Sequence, residues 1–300
     1  MKVLIVGLGS IAKKHIQALR IINDNIQVYA LRSSVSNEED DVINLYQTND
    51  LDKYKFNFII ISTPTHLHEK NLLDLAYLNI PFFIEKPLSN NLEVISVFEN
   101  LKNIKTYVAC NLRFLDCLNY VKDNLDFSKE RVNEVNVYSG SYLPEWRPNT
   151  DYKKNYSVLP EKGGGVHIDL IHEIDYVYWI FGQPLNKSSY FKSKSTLDIK
   201  SIDYANYILE YNNFSASIIL NYYRRDSKRT LEIVTDNCTY FINLFSNEVY
   251  QNNKLIFKSE QKIVDTYENQ LRYFIDSIEK KEPYFNTAHD GFEVLKICIG

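Results

Sequence analysis

The strongest constraint on what this chain can fold into lies in its first two dozen residues. Val3-Leu4-Ile5-Val6 is an apolar run, Gly7-Leu8-Gly9-Ser10-Ile11-Ala12 follows it, and Ile11, His15, Ala18, Leu19 and Ile22 then recur at helical spacing. A short apolar run bounded by glycine reads as a buried parallel strand, and the spacing after it as an amphipathic helix. In Gly-x-Gly-x-x-Ala the first glycine permits the tight turn. The second lets backbone approach a pyrophosphate, and the small third residue lets helix and strand pack closely. The helix N-terminus then faces the phosphates. Gly7, Gly9, Ser10 and Ile11 are therefore candidate dinucleotide contacts. The scarcity of glycine sharpens the reading. Only 9 of 300 residues are glycine, and five of them form two clusters, Gly7 with Gly9 and Gly163-Gly164-Gly165. A chain so poor in glycine is expected to keep it where no other residue works.

The strand–helix alternation continues. Ile26–Leu31, Phe58–Ile61, Pro81–Ile84 and Thr106–Ala109 read as strands, and Leu67–Leu78 and Leu92–Leu101 as helices. Such alternation predicts βαβ units and a doubly wound parallel sheet. After about Asn111 the texture changes. A helix near 115–125 precedes a strand-like Val132–Tyr142, a loop of some 20 residues and a helix at 166–181. Strand-like runs follow at 203–211, 214–223, 230–235 and 239–244, with helices at 265–279 and from Asp290 onward. Runs of strands joined by turns predict a mostly antiparallel sheet. The expected fold class is an α/β Rossmann doubly wound parallel sheet over 1–112, then an α+β domain with a mostly antiparallel open sheet over 113–300. The last helical pattern breaks off at Cys298-Ile299-Gly300, as a helix cut short would.

Composition excludes several classes. Lys and Arg number 34 against 38 Asp and Glu, a net charge of −4, which argues against a general nucleic-acid binder. A chain 45% hydrophobic and 24% charged is not disordered. Cys110, Cys117, Cys238 and Cys298 lie far apart, which is neither a disulfide framework nor a zinc site. No metal is expected. No run approaches the ~20 apolar residues of a membrane helix, and Val3–Val6 is too short for a signal-peptide core. A cytoplasmic protein that binds neither membrane nor nucleic acid is the expectation.

The remaining candidates stand at strand ends and in the second glycine cluster. Tyr29-Ala30-Leu31-Arg32-Ser33-Ser34 closes the second strand without the Asp or Glu that holds the ribose hydroxyls of NAD. A cation with hydroxyls at Arg32, Ser33 and Ser34 suits a 2′-phosphate, so NADP is favoured over NAD. Thr63, Pro64 and His66, in Ser62-Thr63-Pro64-Thr65-His66, lie beyond the end of a central strand, where ligands of open α/β sheets sit. His66 and His68 are two apart and point apart, so they do not make a metal pair. Glu85-Lys86-Pro87 ends the next strand, and Pro87 keeps Lys86 extended. A lysine placed there can move protons. Gly163 to Asp175 runs from triple glycine into a helix on which Asp169, His172 and Asp175 are spaced by three. Histidine is the natural acid/base near neutrality, with either Asp169 or Asp175 to hold its ring. Trp146, Arg147 and Tyr152, in an aromatic and cationic loop, are candidate sugar and phosphate contacts.

Taken together, Gly7-x-Gly9-x-x-Ala12, Thr63-Pro64-x-His66, Glu85-Lys86-Pro87, Asn111-x-Arg113-Phe114 and the Gly163–Asp175 block resemble the glucose–fructose oxidoreductase / inositol dehydrogenase (Gfo/Idh/MocA) family. The resemblance implies an N-terminal Rossmann domain and a C-terminal α/β domain whose sheet lines the substrate cleft and often an oligomer interface. It implies hydride transfer between NAD(P) and a carbohydrate carbon, with Lys86 catalytic, His172 the acid/base and Asp169 its neighbour. Asn111, Arg113, Trp146, Arg147, Tyr152, Asp169 and His172 become candidate substrate contacts, Glu85 and Lys86 candidate cofactor contacts, and a homodimer or homotetramer the expected assembly. Asp169 and His172 are three apart, where the common family pattern has four. The Tyr142–Tyr156 loop resembles a subgroup associated with nucleotide-linked or surface-polysaccharide sugars. The competing readings are a cyclic polyol dehydrogenase, a reductase of a non-sugar carbonyl, and a non-catalytic dinucleotide sensor. A sensor is expected to lose the lysine and the histidine, and this sequence has both.

Overall fold

The structure, a computed structural model, describes residues 1–33, 41–49, 51–147, 150–281 and 285–300. The chain forms two compact units. Met1–Asn111 group with Val264–Lys296 and Gly300, and Leu112–Ile263 with Ile297–Ile299.

The first unit begins β1 (Lys2–Val6), α1 (Ser10–Ile22), β2 (Gln27–Leu31), β3 (Val42–Leu45), β4 (Phe58–Ile61), α2 (His68–Leu75), β5 (Phe82–Glu85), α3 (Phe98–Leu101) and β6 (Thr106–Ala109). The six strands form one sheet in the order β3-β2-β1-β4-β5-β6, every pair parallel. Val3–Val6, Phe58–Ile61 and Phe82–Glu85 are buried throughout, as strands covered on both faces must be. Register sets Val6 beside Leu31 and Ile61, and Ile61 beside Ile84, so the central strands end level. The chain order reverses between β1 and β4, which makes their C-terminal ends the switch point where α/β sheets bind ligands.

The second unit contains α4 (Asp116–Asn124), β7 (Val132–Tyr142), α5 (Val166–Asp169), α6 (His172–Phe181) and β8 (Asn186–Lys192). Six more strands follow: β9 (Tyr204–Glu210), β10 (Ser215–Asn221), β11 (Tyr223–Thr235), β12 (Thr239–Asn243), β13 (Glu248–Gln251) and β14 (Lys254–Lys258). They form an eight-stranded sheet in the order β14-β13-β12-β11-β7-β10-β9-β8, antiparallel except at β7–β10. Val135 and Val137, Tyr207 and Leu209, Ile218 and Leu220, and Leu231 and Ile233 alternate onto one buried face.

The chain then returns to the first unit with α7 (Thr266–Glu279) and α8 (Ala288–Ile299), the latter assigned there through Lys296. This differs from the expected division into 1–112 and 113–300. The reason is packing. α7 lies against α1, and its Phe274 ring sits 5.2 Å from Phe58, 5.4 Å from Phe83 and 5.7 Å from Tyr107. Asn286 accepts from and donates to the backbone of Val108 at 2.8 and 2.6 Å, tying the segment to the edge strand β6.

Other differences have local causes. β3, β8 and β14 are sheet edges and β13 is four residues long, so few of their side chains are buried and no apolar alternation shows in sequence. β11 starts at Tyr223, seven residues before the expected run, because its polar first half carries no core residue. The 92–101 segment is mostly 3-10 helix, and the predicted 166–181 helix is broken at Leu170 and Ile171.

Phe274→Ala is expected to destabilise the chain by about 3–5 kcal/mol, the cost of emptying a buried aromatic site. Urea unfolding measures it, and a loss below about 1 kcal/mol would mean that α7 is not part of this core.

Candidate active site

At the end of β1 the chain turns on Gly7, whose φ of +87° suits only glycine without strain. A Cβ there would stand 3.1 Å from Thr63 Cγ2, so the turn is pressed against the end of β4. Ser62 completes the contact. Its hydroxyl donates to the carbonyls of Val6 and Gly7 at 3.0 and 3.2 Å. Gly9 faces open space, with nothing within 4 Å of where its Cβ would be. Ser10 and Ile11 open α1, which has no side-chain cap and no acid in its first turn. The positive end of the helix is thus left to an outside anion. These features fit a dinucleotide pyrophosphate.

Around this turn the strand ends carry the other predicted cofactor residues. Arg32 is buried and donates from Nη1 to Asn44 Oδ1 at 3.0 Å, which holds its side chain over β3. Ser33 is exposed, and Ser34 lies outside the described residues. Thr63 Oγ1 accepts from Asn71 at 2.7 Å, Pro64 is exposed and extended (ψ 144°), and His66 is exposed at the start of the following helix. Glu85 is buried, with Oε1 2.5 Å from His15 Nε2. Its other oxygen accepts the Lys86 N–H at 3.2 Å. Lys86 follows, half-buried, at the end of β5, two strands from the glycine turn. Asn111 is buried and donates to Thr266 Oγ1 at 2.6 Å.

In the second unit Asp169 is met by two tyrosines, with Trp146 packed on one of them and Arg147 over the other. Gly164 and Gly165 lead into α5. A Cβ on Gly164 would lie 2.3 Å from the Tyr156 carbonyl oxygen, and one on Gly165 (φ +140°) 2.6 Å from the His167 ring. Only this backbone lets the 150s loop lie directly on the start of the helix. Asp169 ends α5 and His172 begins α6, with Leu170 non-helical between them (ψ 31°). The expected single helical face carrying Asp169, His172 and Asp175 is therefore split. All three are buried.

The two aspartates have different partners. Asp175 receives a two-pronged ion pair from Arg113, at 2.9 Å from Nε and 2.8 Å from Nη2, both residues being under 5% exposed. Such a buried pair is strongly coupled, and losing either partner strands the other charge. Asp169 accepts from the hydroxyl of Tyr222 at 2.5 Å. Tyr156 is also hydrogen-bonded to it, and the Asp169 charge and burial push the Tyr156 hydroxyl far above the usual phenol range. Burial, with the same carboxylate second, does so at Tyr222. Both phenols stay protonated donors.

The aromatic loop closes around this cluster. The Trp146 ring meets Tyr222 edge-on at 5.3 Å, and its Nε1 donates to Ser141 at 2.8 Å. The exposed Arg147 guanidinium lies 5.5 Å over the Tyr156 ring. Tyr152 instead donates to the Leu197 carbonyl at 3.0 Å. Tyr156 and Tyr222 were not among the residues the sequence singled out. Tyr156 lay at the edge of the flagged loop, but Tyr222 sits in an ordinary strand run, and only folding brings it to Asp169. His15 and His68 were seen only as a helix-face residue and a non-ligand.

The family described as Oxidoreductase family, NAD-binding Rossmann fold, matches residues 1–106. The Oxidoreductase family C-terminal alpha/beta domain matches residues 128–299. The uncharacterized oxidoreductase YrbE of Bacillus subtilis is 23% identical over 325 residues, 98% of this chain and 91% of that one. Among solved structures, myo-inositol 2-dehydrogenase from Lactobacillus plantarum superposes with a TM-score of 0.79 at 18% identity, covering 99% of this chain and 95% of that one. UDP-N-acetylglucosamine 3-dehydrogenase GnnA from Acidithiobacillus ferrooxidans does so with 0.78 at 15%, covering 100% and 95%. At these identities the likeness is one of fold.

One pH dependence follows from the glycine block. Burial pushes the His167 imidazole from its ordinary 6.5 down to about 4. Its folded pKa is the lower one, so the neutral ring's contribution is complete above 6.5 and is lost as pH falls toward 4. In urea titrations across that window, the His167→Gln variant is expected to lose less stability with acidification than wild type. Identical slopes would contradict it.

Proposed function

The chain belongs to the Gfo/Idh/MocA oxidoreductase family, and from that we propose that it transfers a hydride between NAD(P) and a hydroxyl-bearing carbon of a carbohydrate. The observation that carries the proposal is the uncapped, acid-free start of α1 at the sheet's switch point, with Lys86 at the end of β5 two strands away. Gly7, Gly9, Ser10 and Ile11 would hold the pyrophosphate, and Thr63, Pro64 and His66 the region beyond β4. The nicotinamide, when bound, supplies the hydride acceptor or donor. In the oxidising direction His172 takes the proton of the substrate hydroxyl and Lys86 assists, while the carbon gives up its hydride. In the reducing direction His172 returns the proton to the carbonyl oxygen.

Asp169 is the aspartate proposed to act with His172. Both oxygens of Asp175 are committed to Arg113, which also makes Arg113 a support for the helix more than a substrate contact. The part-exposed Trp146 and Tyr156 offer ring faces suited to a sugar. The exposed Arg147 suits an anionic group on it. That supports a nucleotide-linked substrate, and the structural relative acting on UDP-N-acetylglucosamine points the same way. Arg32 with Ser33 supports NADP over NAD.

We further propose a homodimer or homotetramer in the cytoplasm. Exposed Leu185, Tyr190 and Ile208 in the second unit support assembly, and four free cysteines support a reducing compartment. Among the described residues no helix is long and apolar enough to cross a membrane.

Two measurements test the proposal. In NADPH absorbance assays against a panel of nucleotide sugars and keto-sugars, Lys86→Ala and His172→Ala are each expected to lower turnover about a hundredfold or more. NADPH affinity should stay within about threefold. Near wild-type rates in both variants would remove these residues from the mechanism. Arg32→Ala is expected to weaken NADPH about tenfold, worth about 1.4 kcal/mol, and NADH much less. Equal losses for the two cofactors would remove Arg32 from the choice between them.

A further inference from the structure

Lys86 is flanked in sequence by two residues that are each gripped by a buried histidine from a different helix. On one side Glu85 meets His15 of α1 at 2.5 Å, with 0 and 8% of the two side chains exposed. His15 is itself walled in by Phe83 and Tyr267, ring centroids 5.2 and 5.8 Å away. On the other side the Pro87 carbonyl oxygen lies 3.0 Å from Nδ1 of His68, the first residue of α2. Nε2 of the same ring lies 2.9 Å from the Thr63 carbonyl oxygen. One imidazole, 1% exposed, thus lies between the segments that leave β4 and β5. Because burial pushes it below its ordinary 6.5, the ring carries a single N–H at neutral pH and donates to one of the two carbonyls while packing against the other. Out of reach of water, such bonds are stronger and costlier to break than on the surface.

We propose that His68, with His15, is a positioning residue for Lys86. It ties the segment after β5 to the segment after β4, so that the amine is presented at a fixed place beside the dinucleotide turn. This rests on the reading of Lys86 as the proton-moving lysine. The His15 arm adds a second tie, because α1 is the helix that starts at that turn. Cofactor turn, Thr63 segment and lysine then move as one frame. The chemistry of the bridge also dictates its replacement. A neutral imidazole offers a carbonyl one N–H donor, which an amide NH2 also supplies and a phenyl ring does not supply at all.

The test uses the full-length protein with its lysines reductively dimethylated with 13C-formaldehyde. The Lys86 resonance is assigned by its loss in Lys86→Arg. His68→Phe, which keeps the ring volume, is expected to shift or broaden that resonance toward the exposed-lysine envelope. His68→Gln is expected to hold it near the wild-type position. Thermal unfolding and NADPH fluorescence titration check that each variant is folded and binds cofactor. If His68→Phe does not fold, His68→Gln against His68→Leu gives the same contrast. Once a substrate is in hand, kcat should fall about tenfold in His68→Phe, with KM and NADPH affinity little changed, and recover in His68→Gln. An unmoved Lys86 resonance in the donor-less variants overturns the inference. A resonance that responds as stated, in a protein whose Lys86→Ala variant turns over normally, upholds the brace and instead removes Lys86 from catalysis.

Discussion

The turn that joins β1 to α1 depends on Gly7 being pressed against Thr63. The strand order reverses between β1 and β4, which is where ligands of such sheets sit. The missing Cβ of Gly7, 3.1 Å short of the threonine methyl, lets the turn close there, and the Ser62 hydroxyl locks it through two carbonyls. The same threonine segment is held from its other side by His68 and Asn71. A small shift of Thr63 would therefore move the turn after β1 and the segment after β5 together, which is why this crossing sets the geometry of both.

The second unit solves a different problem, which is to keep carboxylates inside protein. Asp175, Glu173 and Asp169 are all buried within seven residues of one another. Each has its own answer: Arg113 for Asp175, Arg229 at 2.6 Å for Glu173, and phenols for Asp169. A guanidinium brings a countercharge to its carboxylate, whereas a phenol brings only a hydrogen bond.

How much of this was legible beforehand varies with the kind of signal. Gly-x-Gly-x-x-Ala after an apolar run is local, since its requirements are met by consecutive residues, and the turn could be placed from sequence. The buried strands were visible for the same reason. Edge strands such as Asn186–Lys192 were not, because a strand with few buried side chains carries no alternation. The spacing of Asp169, His172 and Asp175 predicted a single helical face, and the structure divides it between two helices. A helix break at Leu170 depends on what packs around it, and the pattern itself continues through it.

The sequence by itself determined the class of each half and the strand–turn–helix that opens the chain. These follow from periodicity and side-chain chemistry, which act over a few residues. Only the tertiary structure decided which aspartate answers to an arginine and which to tyrosines, that 264–296 complete the first unit, and that His15 and His68 grip the neighbours of Lys86. Those are contacts between residues 19 to 200 or more positions apart. No local pattern encodes them, because they exist only once the buried surfaces of distant segments have met.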